Sequence, residues 1–112
     1  MSIIWSKKID EILSVGCSLE NEGINNWVLC KDDALLSLDK LLNIKVAVLG
    51  GDVYENIDGV LQSNYDNWYC DKIEEESKQE YLIRSVKAAR AYIENYKHRN
   101  GDEIYFAIVP DV

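Results

Sequence analysis

One proline is all this chain carries, and it stands at position 110 of 112 residues. No interior helix or strand therefore has to break where proline would remove an N–H donor. Histidine is as scarce: His98 is the only one, between Lys97 and Arg99. The dipole at the end of a helix accounts for a cation there, so nothing points to a catalytic imidazole. The cysteines, Cys17, Cys30 and Cys70, are odd in number and form no C-x-x-C pair, which argues against a disulfide framework or a zinc site. They are expected to be reduced and mostly buried. No stretch approaches the roughly 18 apolar residues of a membrane span. The first twelve residues carry Lys7, Lys8, Asp10 and Glu11 with no apolar core of a secretory signal, so a cytoplasmic protein is expected. Positive charge is also short. Twelve basic against twenty acidic residues leave a net charge of -8, which opposes binding to nucleic acid and favours either simple solubility or a basic protein partner.

What is present suffices for one domain spanning 1–112. A chain of this length buries a real core without staples, and 47% hydrophobic with 29% charged residues is the balance of an ordinary globule. Trp5, Ile9, Ile12 and Leu13 fall at helical spacing, with Gly16 placed to end the helix. Cys17 to Asn26 reads as a loop, and Trp27–Cys30 as a short strand or docking turn. Asp32 and Asp33 suit the first turn of a second helix, whose apolar face is Ala34, Leu35, Leu38, Leu41 and Leu42, with Asn43 at its end. A buried strand is predicted over 45–49. Asp58-Gly59 is a turn signal, and Val60–Gln62 a brief strand. The third helix is predicted over about 74–98, with Leu82, Val86, Ala89, Ile93 and Tyr96 as its buried stripe and Glu80–Arg84 as an i,i+4 pair. Asn100-Gly101 would end it, and a last strand follows over 103–109. If the strands at 45–49 and 103–109 pair directly, the helical crossover between them predicts a parallel arrangement. The expected fold is α+β or α/β: a small single-domain sandwich of about three helices on a short sheet.

Two segments stand out chemically. In the first, an apolar run leads into Gly50-Gly51, then Asp52 and Tyr54. Paired glycines permit positive φ or a close backbone approach, and Asp52 and Tyr54 would stand beyond the strand's end, where open sheets tend to place ligands. The second, Tyr65 to Asp71, sets Asp66 and Asn67 beside Trp68 and Tyr69. Its aromatics suit either interface anchors or core. Asp52, Asp66 and Asn67 suit either partner contacts or local bonds that hold a loop, with Asp52 accepting from N–H groups near Trp68. Glu74, Glu75 and Glu76 exceed what a helix start needs, and read as a solvated face or as a negative patch. Neither a phosphate-binding glycine loop nor an EF-hand is present. No cofactor and no metal are expected, and no nucleophile has a base beside it in sequence.

Val48–Tyr54, Asn67-Trp68-Tyr69 and Tyr105–Val109 resemble the immunity protein 40 family of bacterial polymorphic-toxin systems, a likeness running from about Trp27 to Val109. The resemblance implies a non-enzymatic cytoplasmic antidote, encoded beside a toxin, that binds the toxin domain and blocks it. On that reading Gly50 and Gly51 shape a loop. Asp52, Tyr54, Asp66, Asn67, Trp68, Glu74, Glu75 and Glu76 would form the partner surface, with Tyr54 and Trp68 as anchors and the acids facing a basic toxin site. The alternative from another class is a small enzyme or ligand-binding regulator with its pocket at Gly50-Gly51-Asp52. Oligomeric state is left open.

Overall fold

A computed structural model describes residues 3–97 and 103–112. Its frame is a three-stranded antiparallel sheet of β3 (Val48–Ile57), β4 (Val60–Tyr69) and β5 (Glu103–Pro110), with β3 in the centre. A two-stranded arm, β1 (Cys17–Ser18) and β2 (Trp27–Val28), encloses a 3-10 turn over Glu20–Glu22, where a loop was expected. The helices are α1 (Lys7–Leu13), α2 (Lys31–Asn43) and α3 (Lys78–Asn95). The architecture is α+β.

Each helix forms for a local reason. Ser6 caps α1 by accepting the Ile9 N–H, and the helix closes at Ser14 rather than at Gly16. In α2 the residues at helical spacing, Ala34, Leu38 and Leu41, are buried, whereas Leu42 lies outside. Ser77 and Glu80 form a reciprocal capping box at the start of α3. The acid run Glu74–Glu76 therefore precedes this helix instead of opening it. Glu80, occupied by the cap, does not pair with Arg84; Arg84 reaches Glu76 instead, at 2.6 Å. At its other end α3 stops at Asn95, with Tyr96 already extended as the cap, short of the expected end near 98; His98 and Asn100-Gly101 lie outside the described residues.

The helices cover one face of the sheet. Leu82, Val86, Ala89 and Ile93 of α3 pack with Ile9, Leu13, Leu38, Leu41, Val48, Val53, Phe106 and Ile108. A row of aromatic rings crosses this layer: Trp68 of β4 stacks on Tyr92 at 4.9 Å, Tyr92 meets Tyr96 at 5.8 Å, and Tyr96 meets Phe106 edge-on at 5.7 Å. Buried Ser85 has a specific task, because its hydroxyl accepts the Val48 N–H where the β3–β5 register slips. The arm covers part of the opposite face, where Leu19 and Val28 pack on Tyr54 and Ala107.

β3 and β5 pair antiparallel, not parallel as expected. The crossover rule still holds, between different strands. β4 and β5 each run antiparallel to β3, hence parallel to one another, and α3 is the crossover that joins them. β3 sits between the two. The short strand expected over 60–62 is in fact ten residues long, and its return direction sets the orientation of everything after it.

Candidate functional site

The glycine pair lies inside the central strand, not in a loop. Its reason is space. A Cβ on Gly50 would stand 2.2 Å from the Trp68 carbonyl oxygen, and one on Gly51 would stand 2.2 Å from Cη2 of the Trp68 ring and 2.4 Å from the Ala107 carbonyl oxygen. Of the two roles open to these glycines, close approach is the one observed; neither has positive φ.

The segment 65–69 is likewise a strand. Gly51 is paired with Trp68 and Asp52 with Asn67. Successive side chains alternate faces, which splits the expected partner surface. Trp68 turns to the helices and is only 9% exposed. Tyr54 turns to the outer face but lies beneath the arm at 6% exposure. As folded, neither ring is available as a surface anchor. Asp52 and Asn67 lie exposed on the outer face, with Tyr69 beside them at 75% exposure. Tyr69 and Tyr65, the latter 87% exposed, are the large aromatics available to a partner. Alternation is the signal that assigns them, once the strand is recognised.

Asp66 has a different duty. Three residues, Asn64, Tyr65 and Asp66, face Val53 alone, so β4 bulges here, with Tyr65 at φ 69°. Tyr96, the residue that caps the end of α3, clamps the bulge: its hydroxyl donates to Asp66 at 2.6 Å and accepts from the Asn64 amide at 2.8 Å. Burial and the Asp66 carboxylate push the Tyr96 phenol up to about 12.

Glu74, Glu75 and Glu76 stand off the sheet, on the connection from β4 to α3. Glu74 and Glu75 are exposed. Glu76 is held by Arg84, whose guanidinium also donates to the Asp71 carbonyl oxygen at 2.6 Å and the Cys70 sulfur at 3.0 Å. The hydrogen bonds from Arg84 hold the Glu76 carboxyl below its ordinary range. Beside this connection runs a groove of about 820 Å3, lined by Lys45, Lys72, Glu74, Glu76, Tyr81 and Asp111 among others. Its charges are mixed, and Lys72 is already paired with Asp111 at 3.0 Å.

The outer face at Gly50-Gly51-Asp52 has only a shallow depression of about 250 Å3, floored by the glycines and rimmed by Leu49, Asn67, Tyr69 and Val109. That is below the usual range of small-molecule pockets. Partial burial raises the Asp52 carboxyl, and among the described residues no cation pairs with it. Tyr54 is raised too, first by burial and then by Asp52 and Glu22 nearby. Among the described residues no group of histidine, cysteine and acidic side chains has the geometry of a metal site, and no helix is long and apolar enough to cross a membrane. The cysteines divide against expectation: Cys70 is buried, but Cys17 and Cys30 are exposed, on the arm and at the cap of α2.

Comparison with known proteins adds one finding. The family model described as Immunity protein 40 matches residues 18–110, from the arm through the end of β5. Searches of curated proteins and of solved structures each found no match. With most of its length matched, the chain belongs to the immunity protein 40 family.

Proposed function

We propose that this protein is the antidote to a cognate toxin domain, acting by binding and occlusion rather than by catalysis, and that the outer face of β3 and β4 is its contact surface. The family membership carries the first part of this reading. The second is supported by Asp52, Asn67 and Tyr69 meeting on one exposed strip beside the depression. Asp52 is an anion that has lost part of its water without gaining a cation among the described residues. A Lys or Arg of the toxin would supply that missing partner, and Tyr69 would contribute stiff apolar area beside it. Glu74 and Glu75 extend the negative field past the end of β4.

The test is co-expression with the toxin-like domain encoded beside this gene, scored by growth and by co-purification. Rescue with a stable complex is the expected result; a soluble, folded chain that neither rescues nor co-purifies overturns the reading. Asp52→Lys with Tyr69→Ala should then abolish protection while thermal unfolding stays near that of the parent, since both side chains are exposed. Protection that survives in the folded double variant moves the contact surface elsewhere. Trp68→Ala is unsuitable for this purpose, because emptying a buried indole site costs about 3–5 kcal/mol of stability.

A further inference from the structure

The two edges of the three-stranded sheet differ. On the β5 side, Leu29 and Phe106 exchange N–H to C=O bonds of 2.8 Å each, so the chain after β2 covers that edge. On the other side β4 is the outermost strand, with no further strand among the described residues. The Cys70 N–H donates to the Leu49 carbonyl at 2.8 Å, which sets the phase of the β3–β4 ladder. Gly51 and Trp68 then exchange the next pair of bonds, and Asn67 and Tyr69 turn their N–H and C=O groups away from β3.

The middle of this edge closes itself. Ser63 Oγ accepts the Tyr65 N–H, the Asn64 side-chain oxygen accepts the Asp66 N–H, and the Asn67 side-chain amide donates to the Tyr65 carbonyl. Backbone groups at the bulge are thus occupied, while the outward-facing N–H and C=O groups of Asn67 and Tyr69 beyond it have no backbone partner among the described residues. Lysine and proline, which commonly bar added strands from an edge, are absent from β4. Charge is sorted as well. None of the twelve basic residues lies on β3, β4, β5 or the arm over 17–30, which between them carry Glu20, Glu22, Asp52, Glu55, Asp66 and Glu103.

We infer that the Asn67–Tyr69 edge of β4 receives an extended, Lys- or Arg-bearing segment of the toxin domain as a fourth strand of the sheet. This rests on the antidote reading above and names how the partner docks. Backbone bonds to Asn67 and Tyr69 supply affinity that is indifferent to side chains, and the all-acid sheet selects a basic segment. The bulge stops pairing from running along the whole strand, so docking is confined to the end beside Asp52 and the depression.

Amide hydrogen exchange tests this with the isotope-labelled full chain, free and bound to the catalytically inactivated toxin domain encoded beside it. The Asn67 and Tyr69 amides should exchange quickly in the free protein and slow at least about tenfold in the complex, while Trp68, already bonded to Gly51, is slow in both. Tyr69→Lys, which places a like charge on the edge, should raise Kd at least about tenfold in a protein that still folds. A complex in which both amides keep their free exchange rates overturns edge docking and leaves the antidote reading intact. Protection of the same amides in the free chain, with sedimentation as a dimer, assigns the edge to a second copy and also overturns it. Absence of any complex removes the antidote reading and this inference with it.

Discussion

Gly51→Ala adds one methyl group to the centre of the sheet. That methyl would lie 2.2 Å and 2.6 Å from two carbons of the Trp68 ring and 2.4 Å from the Ala107 carbonyl oxygen. The ring cannot retreat, because Tyr92 is stacked against it at 4.9 Å, and the carbonyl belongs to a paired strand. Overpacking of this kind costs about 1–3 kcal/mol, and a backbone obstacle argues for the upper end. Replacing glycine also restricts the unfolded chain, which returns about 0.4–1 kcal/mol. A net loss of about 2 kcal/mol should lower Tm by roughly 8 °C in a domain of this size. Thermal unfolding followed by circular dichroism measures it. A double-mutant cycle then isolates the cause: with Trp68→Ala the added methyl has room on the ring side, so the combined loss should fall short of the sum by at least about 1 kcal/mol. A Gly51→Ala protein that unfolds within a degree or so of the parent, or a cycle that is additive, would refute the claim that this glycine exists to admit Trp68.

Three further outcomes are expected. Tyr96→Phe removes the hydroxyl that clamps Asn64 and Asp66, and should cost about 1 kcal/mol and speed exchange of the Asp66 amide; unchanged exchange would show that the bulge holds itself. In the parent the Tyr96 phenol is raised to about 12, so its contribution is whole below pH 10, the unfolded value, and is lost as pH climbs toward 12; absorbance titration of parent against Tyr96→Phe reads this directly. Arg84→Ala frees the connection over 71–76, whose amides should exchange faster. The lowered Glu76 carboxyl makes the sign opposite to that of Tyr96: the tie is present above the ordinary carboxylate pKa and lost on acidification, so protection over 71–76, taken relative to the intrinsic exchange rate at each pH, should lose its pH dependence in the variant. Gly59→Ala strains the turn between β3 and β4, where Asp58 and Gly59 both have positive φ, 52° and 83°. It should cost about 1 kcal/mol by chemical denaturation, and equal stability would contradict the turn geometry.

Much of the fold was legible because its signals are local. Helical spacing marked the buried faces of α2 and α3, Asp58-Gly59 marked the tight turn, and alternation marked β5. Strand length was hidden at 63–67 because a self-bonded bulge breaks the alternation that a period-two pattern depends on. With β4 read as too short, the helical crossover was attached to the wrong strand and a parallel pairing was expected. At the candidate site it is the orientation of the side chains that the sequence hid. Asp52, Asn67 and Trp68 are neighbours in register, yet adjacent positions on a strand face opposite ways.

The sequence by itself determined the three helices and the turn, and its match over residues 18–110 places the chain in its family. The helices and the turn follow from periodicity and turn chemistry, both written within a few residues. Tertiary structure alone decided that Gly50 and Gly51 make room for Trp68, that Trp68 is core while Tyr69 is surface, and that Arg84 serves Glu76 rather than Glu80. Each depends on which strand or helix end packs against which. The same packing left one edge of an all-acid sheet without a neighbour among the described residues, because residues far apart in the chain close the other edge and none of those described closes this one.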